Sequence, residues 1–452
     1  MSSRKIYIIL FTGLLILASG CKKFLEAKPD KKLAVPVTIK DFQSLMDNAA
    51  IFLPEPHEGE FSSDDHYLTN EHWESLYSEE ERRIHIWEKD FLFQPNVNNW
   101  DNAYKVIYYC NSVLEGLNKV DRNQNNAKEW DYVKGQALYF RGKRLLQASL
   151  IWTPAYGSNT ADLDLGLPLR LNTNFNEKSR RASVRETYQQ MIIDIKSAAN
   201  LLSATVTTKI RPSKPAAYAL LSRIYLSMGD YVNSGIYADS CLQIRNELID
   251  YNDLDAKQPS PLKRFNAEVI SENGIAEGQT LNLTRGRVNP DLYKMYQPDD
   301  LRKEILFTNN SDGSHGFKGR FAEGLSLFGG MATNEVYLNR AESNARMGKM
   351  DQALDDINFL LKKRWLKDKF IPFSGLSSSE VLELILNERR KELLFRGIRW
   401  MDLKRLNKEG RNISLTRNLK HRNYVLAPND LKYTLPIPED VIIQSGMQQN
   451  PR

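Results

Sequence analysis

The sequence is poor in cysteine, with three in 452 residues. Cys21 follows an apolar N-terminal run, whereas Cys110 and Cys241 each lie within an apolar helical pattern. Two further cysteines in a large exported chain exclude a disulfide framework. We therefore expect Cys110 and Cys241 to be buried as small hydrophobic residues rather than joined in a disulfide.

The sequence also lacks a strong net charge and any long basic run. Its formal net charge is +6, and loss of Arg4 and Lys5 with a signal peptide would lower that by two, to +4. Nucleic acid is therefore not an expected partner. With 41% hydrophobic and 26% charged residues, the composition is that of an ordinary soluble chain with room for a sizeable core.

Recognisable catalytic motifs are absent. No GxSxG, HExxH or phosphate-binding glycine loop occurs. Acidic residues are abundant, so a carboxylate pair of the glycoside hydrolase type is a remote alternative. We expect a non-catalytic protein without a cofactor, and the sequence leaves open whether a structural calcium ion is bound.

The long apolar run at the N-terminus is too short to cross a membrane. Residues 6–17 are apolar, follow a basic pair and end in Ala-Ser-Gly-Cys at 18–21. This pattern predicts a signal peptide over residues 1–20, lipoprotein cleavage before Cys21 and a lipidated tether over residues 21–36. Several acyl chains, at about 0.8 kcal/mol for each buried methylene, would anchor the protein without spanning the bilayer. Ordinary secretion with an incidental cysteine is the alternative.

The main positive signal is a pair of helical hairpins in register. Ala341 and Ala353 stand twelve residues apart, and Gly348 lies between them where the chain would turn. The same pattern recurs 119 residues earlier, with small residues at Ser222 and Ser234. This spacing is typical of tetratricopeptide repeats, which stack because one hairpin cannot bury its apolar face alone.

Further helical patterns complete the scaffold. Capping boxes begin at Ser183 and Ser377, and another helix is expected to start near Thr38. We predict a mainly α fold, a tetratricopeptide-like scaffold of helical hairpins with large irregular insertions. The predicted parts of this single domain, residues 37–452, are hairpins near 100–152, 184–245 and 333–364, insertions near 55–99 and 250–330, and a C-terminal segment at 377–452.

The two insertions differ in composition. Residues 55–90 contain twelve acids, three bases and four histidines, at spacings that match neither a zinc site nor the twelve-residue calcium loop. We interpret this segment as a partly ordered layer with a solvated acidic face, and expect no metal site. The second insertion is expected to form an irregular surface layer, where binding residues tend to lie.

One buried ion pair is expected in the C-terminal part of the chain. Arg389 falls on an apolar helical stripe that includes Ile385 and Leu393. An arginine in such a position needs a carboxylate and further hydrogen bonds. Glu342, on the second hairpin, is the predicted partner.

Aromatic residues in the first insertion predict a ligand site. They are interleaved with polar residues and form no consistent helical stripe. The apolar faces of sugar rings stack on aromatic rings, while amide groups bind the hydroxyls. We expect a glycan site here, with help from the second insertion. The predicted ligand-binding residues are Trp73, Tyr77, Trp87, Asn98, Asn99 and Trp100.

Several sequence blocks occur in a fixed order along the chain. They are KGQALYFRGKRLLQASLIW followed by GLPL, SVRETYQQMIIDIKSAANLL, KPAAYALLSRIYLSMGDY, YLNRAESNARMGKMDQALDDIN, NERRKELLFRGIRWMDLKRL and LPIPEDVIIQSGMQQNP. In this order they resemble the blocks of the SusD/RagB family, surface lipoproteins of Bacteroidota. The resemblance covers essentially the whole mature chain.

The resemblance implies a tetratricopeptide-like half, an irregular half built from the insertions, and attachment to the outer leaflet of the outer membrane. It also implies a SusC-like TonB-dependent transporter as partner, with the lipoprotein as a lid that captures a glycan. Capture of a peptide is the alternative within the same family, and a pure scaffold is disfavoured by the anchor and the large insertion. Arg396 departs from the family, which commonly has an acid before Gly397.

Overall fold

The computed structural model describes residues 36–321 and 326–452 and shows a mainly helical chain. The helices are α1 (Ile39–Met46), α2 (Ala49–Phe52), α3 (Glu58–Ser62), α4 (Asn70–Glu74), α5 (Glu79–His85), α6 (Asn99–Leu117), α7 (Ala127–Trp152), α8 (Val184–Leu201), α9 (Lys214–Ser227), α10 (Tyr231–Leu242), α11 (Pro290–Lys294), α12 (Arg302–Ile305), α13 (Thr333–Arg346), α14 (Met350–Lys362), α15 (Ser378–Glu392), α16 (Arg399–Lys408) and α17 (Glu439–Ser445). The predicted signal peptide and Cys21 lie outside the described residues.

Short strands occur in the loops. They are β1 (Pro54–Glu55), β2 (His66–Tyr67), β3 (Leu165–Pro168), β4 (Arg181–Ser183), β5 (Val269–Ser271), β6 (Gly274–Ala276), β7 (Arg287–Val288), β8 (Phe307–Asn309), β9 (His315–Phe317), β10 (Ser326–Phe328), β11 (Met331–Ala332), β12 (Leu415–Leu419) and β13 (Arg422–Leu426). They pair in twos and in one group of three, so the helices carry the architecture.

The scaffold consists of helical hairpins packed side by side. Helix α7 packs against α6 and α8, α9 packs against α10, and α13 packs against α14 and α15. Helices α10 and α13 also contact each other and so join the two predicted repeats. The predicted mainly α, tetratricopeptide-like fold is confirmed.

The two repeats bring their helices together in the same way. Ala341 and Ala353 are fully buried, consistent with a close approach of α13 and α14. In the earlier repeat, Ser234 Oγ donates a hydrogen bond to the Ser222 carbonyl at 3.0 Å, which requires the same close approach. Gly348 turns the chain at φ +79°, a conformation that favours glycine.

Three helices start where the sequence predicts. Thr38, Ser183 and Ser377 each form a capping box with the acid three residues later. Each box satisfies two backbone N–H groups that a helix start would otherwise leave unpaired. The predicted starts of α1, α8 and α15 are therefore confirmed.

Buried ion pairs connect α13, α15 and α16. Arg389 is buried as predicted, but its Nε donates to Asp402 at 2.8 Å. Glu342 accepts hydrogen bonds from Arg405 at 2.6 and 2.8 Å. The predicted Glu342–Arg389 pair is therefore wrong. Helix α16 supplies Asp402 and Arg405, themselves joined at 2.8 Å, and they separate the two residues in a chain of alternating charges.

Both cysteines in the described residues are free and buried, as predicted. Burial raises the pKa of the Cys110 thiol and of the Cys241 thiol to about 12. Both groups therefore remain neutral thiols near pH 7 and serve as small core residues.

Strand pairing holds the two insertions together. Strand β6 pairs in parallel with β1 and antiparallel with β10. Strand β2 pairs antiparallel with β7, with His66 opposite Val288. Backbone hydrogen bonds thus fix residues 54–67 against residues 274–288, which positions the region of the predicted ligand site.

The prediction of a solvated acidic face for the first insertion holds only for its later part. The exposed acids are Glu71, Glu74, Glu79, Glu88 and Asp90, whereas Glu55, Glu58, Glu60 and Asp65 are buried. Other elements supply their surroundings; Lys143 Nζ on α7, for example, lies 2.6 Å from Glu55. A local count of acids and bases cannot detect partners that arrive from distant segments.

Candidate functional site

Two arginines of the C-terminal region hold the first insertion on the scaffold. Arg399 donates to Asp64 at 2.7 and 2.9 Å. Arg390 donates to Asp65 at 2.7 Å and to Asp64 at 3.0 Å. Burial alone would raise the pKa of Asp64, but the two guanidinium groups hold this pKa below its ordinary value. Charge-assisted hydrogen bonds therefore fix the chain just before β2.

Arg417, on β12, fixes the same insertion from the interior. Its Nη2 donates to the carbonyls of Phe61 and Ser63 at 3.1 and 2.7 Å. Its Nη1 lies 2.8 Å from His85 Nδ1, and its guanidinium carbon lies 4.9 Å from the centroid of the Trp87 ring. Burial and the Arg417 charge lower the pKa of His85 well below its ordinary value, so this imidazole is neutral at pH 7.

The second insertion completes the surface above these anchors. The Tyr77 N–H donates to Gln279 Oε1 at 2.8 Å. Glu81 accepts from the backbone N–H of Gln279 at 2.9 Å and from that of Thr280 at 2.8 Å. The two insertions therefore form one continuous surface, as predicted.

Two aromatic side chains are accessible on this surface. Tyr77 is 83% exposed although its backbone is hydrogen-bonded. Trp73 is partly exposed, and its Nε1 donates to the Arg82 carbonyl at 3.3 Å, which fixes the ring. An accessible ring in a fixed orientation offers a stacking face at small entropic cost.

A groove of about 370 Å³ begins at Ser78, the residue after Tyr77, although neither Tyr77 nor Trp73 is among its lining residues. It is lined by His57, Glu58, Ser78, Glu80, Glu81, Ile84, Leu92, Phe93, Gln94, Val97, Asn98, Asn99 and Asn102. The predicted residues Asn98 and Asn99 are thus part of the lining. Apolar side chains mixed with amides and carboxylates suit a ligand that has both apolar faces and hydroxyl groups.

Asn98 and Asn99 also shape the groove. Asn98 Oδ1 caps α6 by accepting from the Asp101 N–H at 3.1 Å. Asn99 Nδ2 donates to Glu58 Oε1 at 2.9 Å. The other carboxylate oxygen of Glu58 is buried and has no hydrogen-bond partner within the described part of the chain. A buried unpaired oxygen is costly, and the described residues supply no donor for this one.

Two of the predicted ligand-binding residues belong to the core. Trp87 is buried, and its Nε1 donates to the Ser62 carbonyl at 3.0 Å. Trp100 is buried against Trp152, with ring centroids 5.2 Å apart. The assignment of Trp87 and Trp100 to the ligand surface is therefore wrong, because a ring enclosed by protein offers no face to a sugar.

The loop between α5 and α6 has an unusual backbone. Trp87, Phe91 and Asn96 adopt φ of +56°, +58° and +60°. This left-handed conformation costs energy in residues other than glycine and is often found at functional sites. Glu439 and Asp440, at the start of α17, accept hydrogen bonds from the N–H groups of Phe91 and Asn96 at 3.0 and 3.1 Å. The loop is therefore held in this shape by the far end of the chain.

Sequence reasoning missed the groove residues Glu58 and Glu80, and Gln279, which contacts Tyr77 next to the groove. The start of α5 carries a usable signal, since Ser78 and Glu81 have helix-start spacing and the Ser78 side chain accepts from the Glu81 N–H. That signal would have placed Glu80 in the first turn of a helix. Glu58 and Gln279 have no such signal, because Glu58 meets Asn99 and Gln279 meets Tyr77 only in the folded chain.

One histidine of the first insertion, His57, packs against a neighbouring aromatic ring. The His57 ring stacks on Phe61 with centroids 4.4 Å apart.

Over residues 36–321 and 326–452, no group of three or more His, Cys, Asp or Glu side chains is arranged to hold a metal ion. In these same two ranges, no helix has the length and apolar character needed to cross a bilayer.

Two family models match this chain. One, described as starch-binding and associating with the outer membrane, matches residues 23–226. The other, described as the SusD family, matches residues 333–452. The chain belongs to the SusD family. In this SusD family member, the groove-forming segment 55–99 lies in the first matched range, whereas Gln279 and Thr280 lie in neither.

Individual SusD relatives are similar over most of their length. SusD-like protein P2 of Formosa agariphila is 24% identical over 420 residues, which cover 78% of this chain and 79% of that protein. The structure of a SusD superfamily protein from Bacteroides thetaiotaomicron has a TM-score of 0.71 at 21% identity and covers 92% of this chain and 100% of that one. A SusD-like carbohydrate-binding protein from Bacteroides vulgatus has a TM-score of 0.70 at 20% identity, covering 90% and 97%. These structural matches establish the fold.

Proposed function

We propose that this SusD family protein captures a glycan at the cell surface and delivers it to a SusC-like TonB-dependent transporter, without catalysis. The observation that carries the proposal is the exposed Tyr77, which precedes a residue of a polar groove in the first insertion and is hydrogen-bonded to Gln279 of the second. The description of the Bacteroides vulgatus relative as carbohydrate-binding supports the ligand class. The family description that includes association with the outer membrane supports the location.

The charge of the groove favours a neutral glycan. Glu58, Glu80 and Glu81 line it, and its described lining residues include no lysine or arginine. A uronic acid or sulfate group would meet like charges in a partly desolvated place, which disfavours binding. A neutral sugar can instead donate its hydroxyls to the carboxylates that line the groove. Neutral oligosaccharides are therefore the first ligands to test.

The proposed lipid anchor at Cys21 would keep the site at the cell surface. The apolar run that ends at this cysteine supports the assignment. In cells fed an alkyne-bearing fatty acid, Cys21→Ala should lose labelling and leave the membrane fraction. Normal labelling of the variant would contradict the anchor.

The ligand test uses residues 22–452 on an array of neutral, acidic and amino glycans together with peptides. Trp73→Ala and Tyr77→Ala are then compared by calorimetry on the best neutral oligosaccharide. Loss of one stacked ring should weaken binding roughly five- to thirtyfold, or about 1–2 kcal/mol. Phe359→Ala, which removes a 46% exposed ring from α14, is the matched control and should bind normally.

Each outcome bears on a separate part of the proposal. If both variants keep their affinity and their melting temperature, the site lies elsewhere. If only peptides bind, and the two variants lose them, the protein is a RagB-like peptide-capture protein. Co-purification of a barrel-sized membrane protein with the tagged lipoprotein tests the transporter, and a lipoprotein that purifies alone would contradict delivery.

A further inference from the structure

A second groove lies on the other side of α6 from the candidate site. It has a volume of about 310 Å³ and is lined by α6, by the loop between β3 and β4, and by α17. Asn98 and Asn102 line the first groove, whereas Tyr104 and Tyr108 line the second. Residues two apart on a helix point in nearly opposite directions, so α6 forms a ridge about 10–12 Å wide between the grooves.

One face of α6 carries three aromatic rings beside this second groove, of which the buried Trp100 backs the two accessible tyrosines. Trp100, Tyr104 and Tyr108 follow one another at four-residue spacing. The centroids of Trp100 and Tyr104 are 4.8 Å apart. Trp100 is buried, whereas both tyrosines are partly exposed. The Tyr104 hydroxyl donates to the Pro168 carbonyl at 2.9 Å, which fixes that ring at the groove wall.

Phe175 adds a fourth ring from the opposite loop. Its side chain is 78% exposed, and its ring packs against Tyr108 with centroids 4.9 Å apart and planes inclined by 32°. A phenylalanine with this exposure gains little from the hydrophobic effect on folding. Folding stability therefore does not explain its placement, whereas an extended stacking surface does.

The loop that presents Phe175 is firmly attached to α6. Asn111 Nδ2 donates to the carbonyls of Arg170 and Asn172 at 2.9 and 3.1 Å. The Thr173 N–H and hydroxyl both donate to the Glu115 carboxylate, at 2.8 and 2.5 Å. A loop held by four hydrogen bonds keeps its exposed ring in place before a ligand arrives, which lowers the entropic cost of binding.

We propose that this groove is a second glycan-binding site that takes a neutral pyranose chain. Tyr108 and Phe175 offer apolar ring faces, and Asn172 and Glu177 carry polar groups along the lining that suit hydroxyls. Arg170 also lines the groove, but its guanidinium donates to the carbonyls of Asn174 and Glu177 and the Glu177 carboxylate balances its charge. The assignment of a glycan as ligand rests on the function proposed for the first groove. The assignment of a site here rests on the contacts within the second groove. A glycan that crosses the ridge of α6 engages both grooves and gains affinity through effective concentration.

The test compares Phe175→Ala with the double variant Trp73→Ala/Tyr77→Ala, which removes the first site. The probes are maltohexaose, cellohexaose, xylohexaose and mannohexaose, measured by calorimetry. Phe175→Ala should weaken binding of the preferred hexasaccharide roughly five- to thirtyfold, as expected for one stacked ring, without a change in melting temperature. Phe359→Ala is again the matched control. Residual binding of the double variant should weaken by a similar factor when Phe175→Ala is added.

Hydrogen exchange provides a second measurement, which reports where the ligand binds rather than how tightly it binds. In the double variant, the preferred hexasaccharide should slow exchange of the backbone amides at residues 169–179. Unchanged exchange there, together with normal affinity of Phe175→Ala, would overturn the second site and leave the first intact. Loss of binding in Phe175→Ala alone would overturn the first site and support the second. If wild type binds none of the four probes, both proposals fail for neutral glycans.

Discussion

The helical hairpins and the layer over them differ in where their determinants lie in the sequence. In the hairpins, Ala341 and Gly348 act on neighbours a few residues away. In the layer, Asp64 accepts a hydrogen bond from Arg399, which lies 335 residues later in the chain. His85 contacts Arg417, which lies 332 residues later. The helix starts and turns of the scaffold are therefore specified locally, whereas the ligand surface is assembled from charges that meet only in the folded chain.

Arg389→Leu is expected to have the largest effect, because the arginine is buried in the scaffold at 2.8 Å from Asp402. Removing one partner of a buried pair typically costs about 3–5 kcal/mol. Urea denaturation should show this loss. Double-mutant cycles sharpen the point, since the coupling energy of Arg389 with Asp402 should exceed that of Arg389 with Glu342. Equal couplings would contradict the alternating chain of charges.

Arg417→Met tests the layer rather than the scaffold. The substitution removes the donor to the carbonyls of Phe61 and Ser63. Each buried carbonyl left without a hydrogen bond lowers the free energy of unfolding by about 1–3 kcal/mol. Hydrogen exchange should accelerate in residues 57–93 while the hairpins stay protected. Arg422→Met, on the same strand pair but exposed, is the control and should behave as wild type. Uniform acceleration along the chain would mean that layer and scaffold unfold together.

The layer should also respond to acid through His85. Its folded pKa is lowered by burial and by Arg417, so below pH 6.5 the unfolded chain takes up a proton that the folded chain does not. The contribution of His85 to the free energy of unfolding therefore falls with decreasing pH, by up to about 1.4 kcal/mol per pH unit. The stability difference between wild type and His85→Gln should therefore shrink from pH 6.5 to pH 5 in urea titrations. Glu60, whose pKa burial raises to about 8, acts in the opposite direction but equally in both proteins. A constant difference would show that His85 does not contribute.

Gly348→Ala and Gly229→Ala should have the smallest effects. Both glycines have positive φ, +79° and +73°, and an added Cβ would meet open space. The cost is therefore conformational, about 1 kcal/mol in each case. Thermal melting should show two small and similar shifts, as the repeat predicts. A large shift in only one variant would mean that the two turns are not equivalent.

The scaffold was predictable because its signals are short-range. Thr38, Ser183 and Ser377 mark helix starts through hydrogen bonds that span three residues. Small residues twelve apart mark the helix approaches. These patterns survive in a single sequence, since each depends on positions that are close in the chain.

The candidate site was predictable only in part. The density of aromatic residues pointed to the correct segment, and Tyr77 is exposed there. Trp87 and Trp100 lie in the same segment but are buried, because Arg417 and Trp152 pack against them from distant elements. Whether a ring faces solvent or the core depends on such packing partners, and the amino-acid composition of the segment does not reveal them.

The contacts of α17 with the loop before α6 have a consequence for biosynthesis. Glu439 holds the Phe91 N–H across 348 residues of chain. The ribosome must therefore complete almost the whole polypeptide before this loop can take its final shape, and contacts of such long range form late in folding. A prematurely terminated product that lacks α17 would carry much of the scaffold but would lack the two hydrogen bonds from Glu439 and Asp440 to this loop. The shape of the loop therefore depends on a chain that extends through α17.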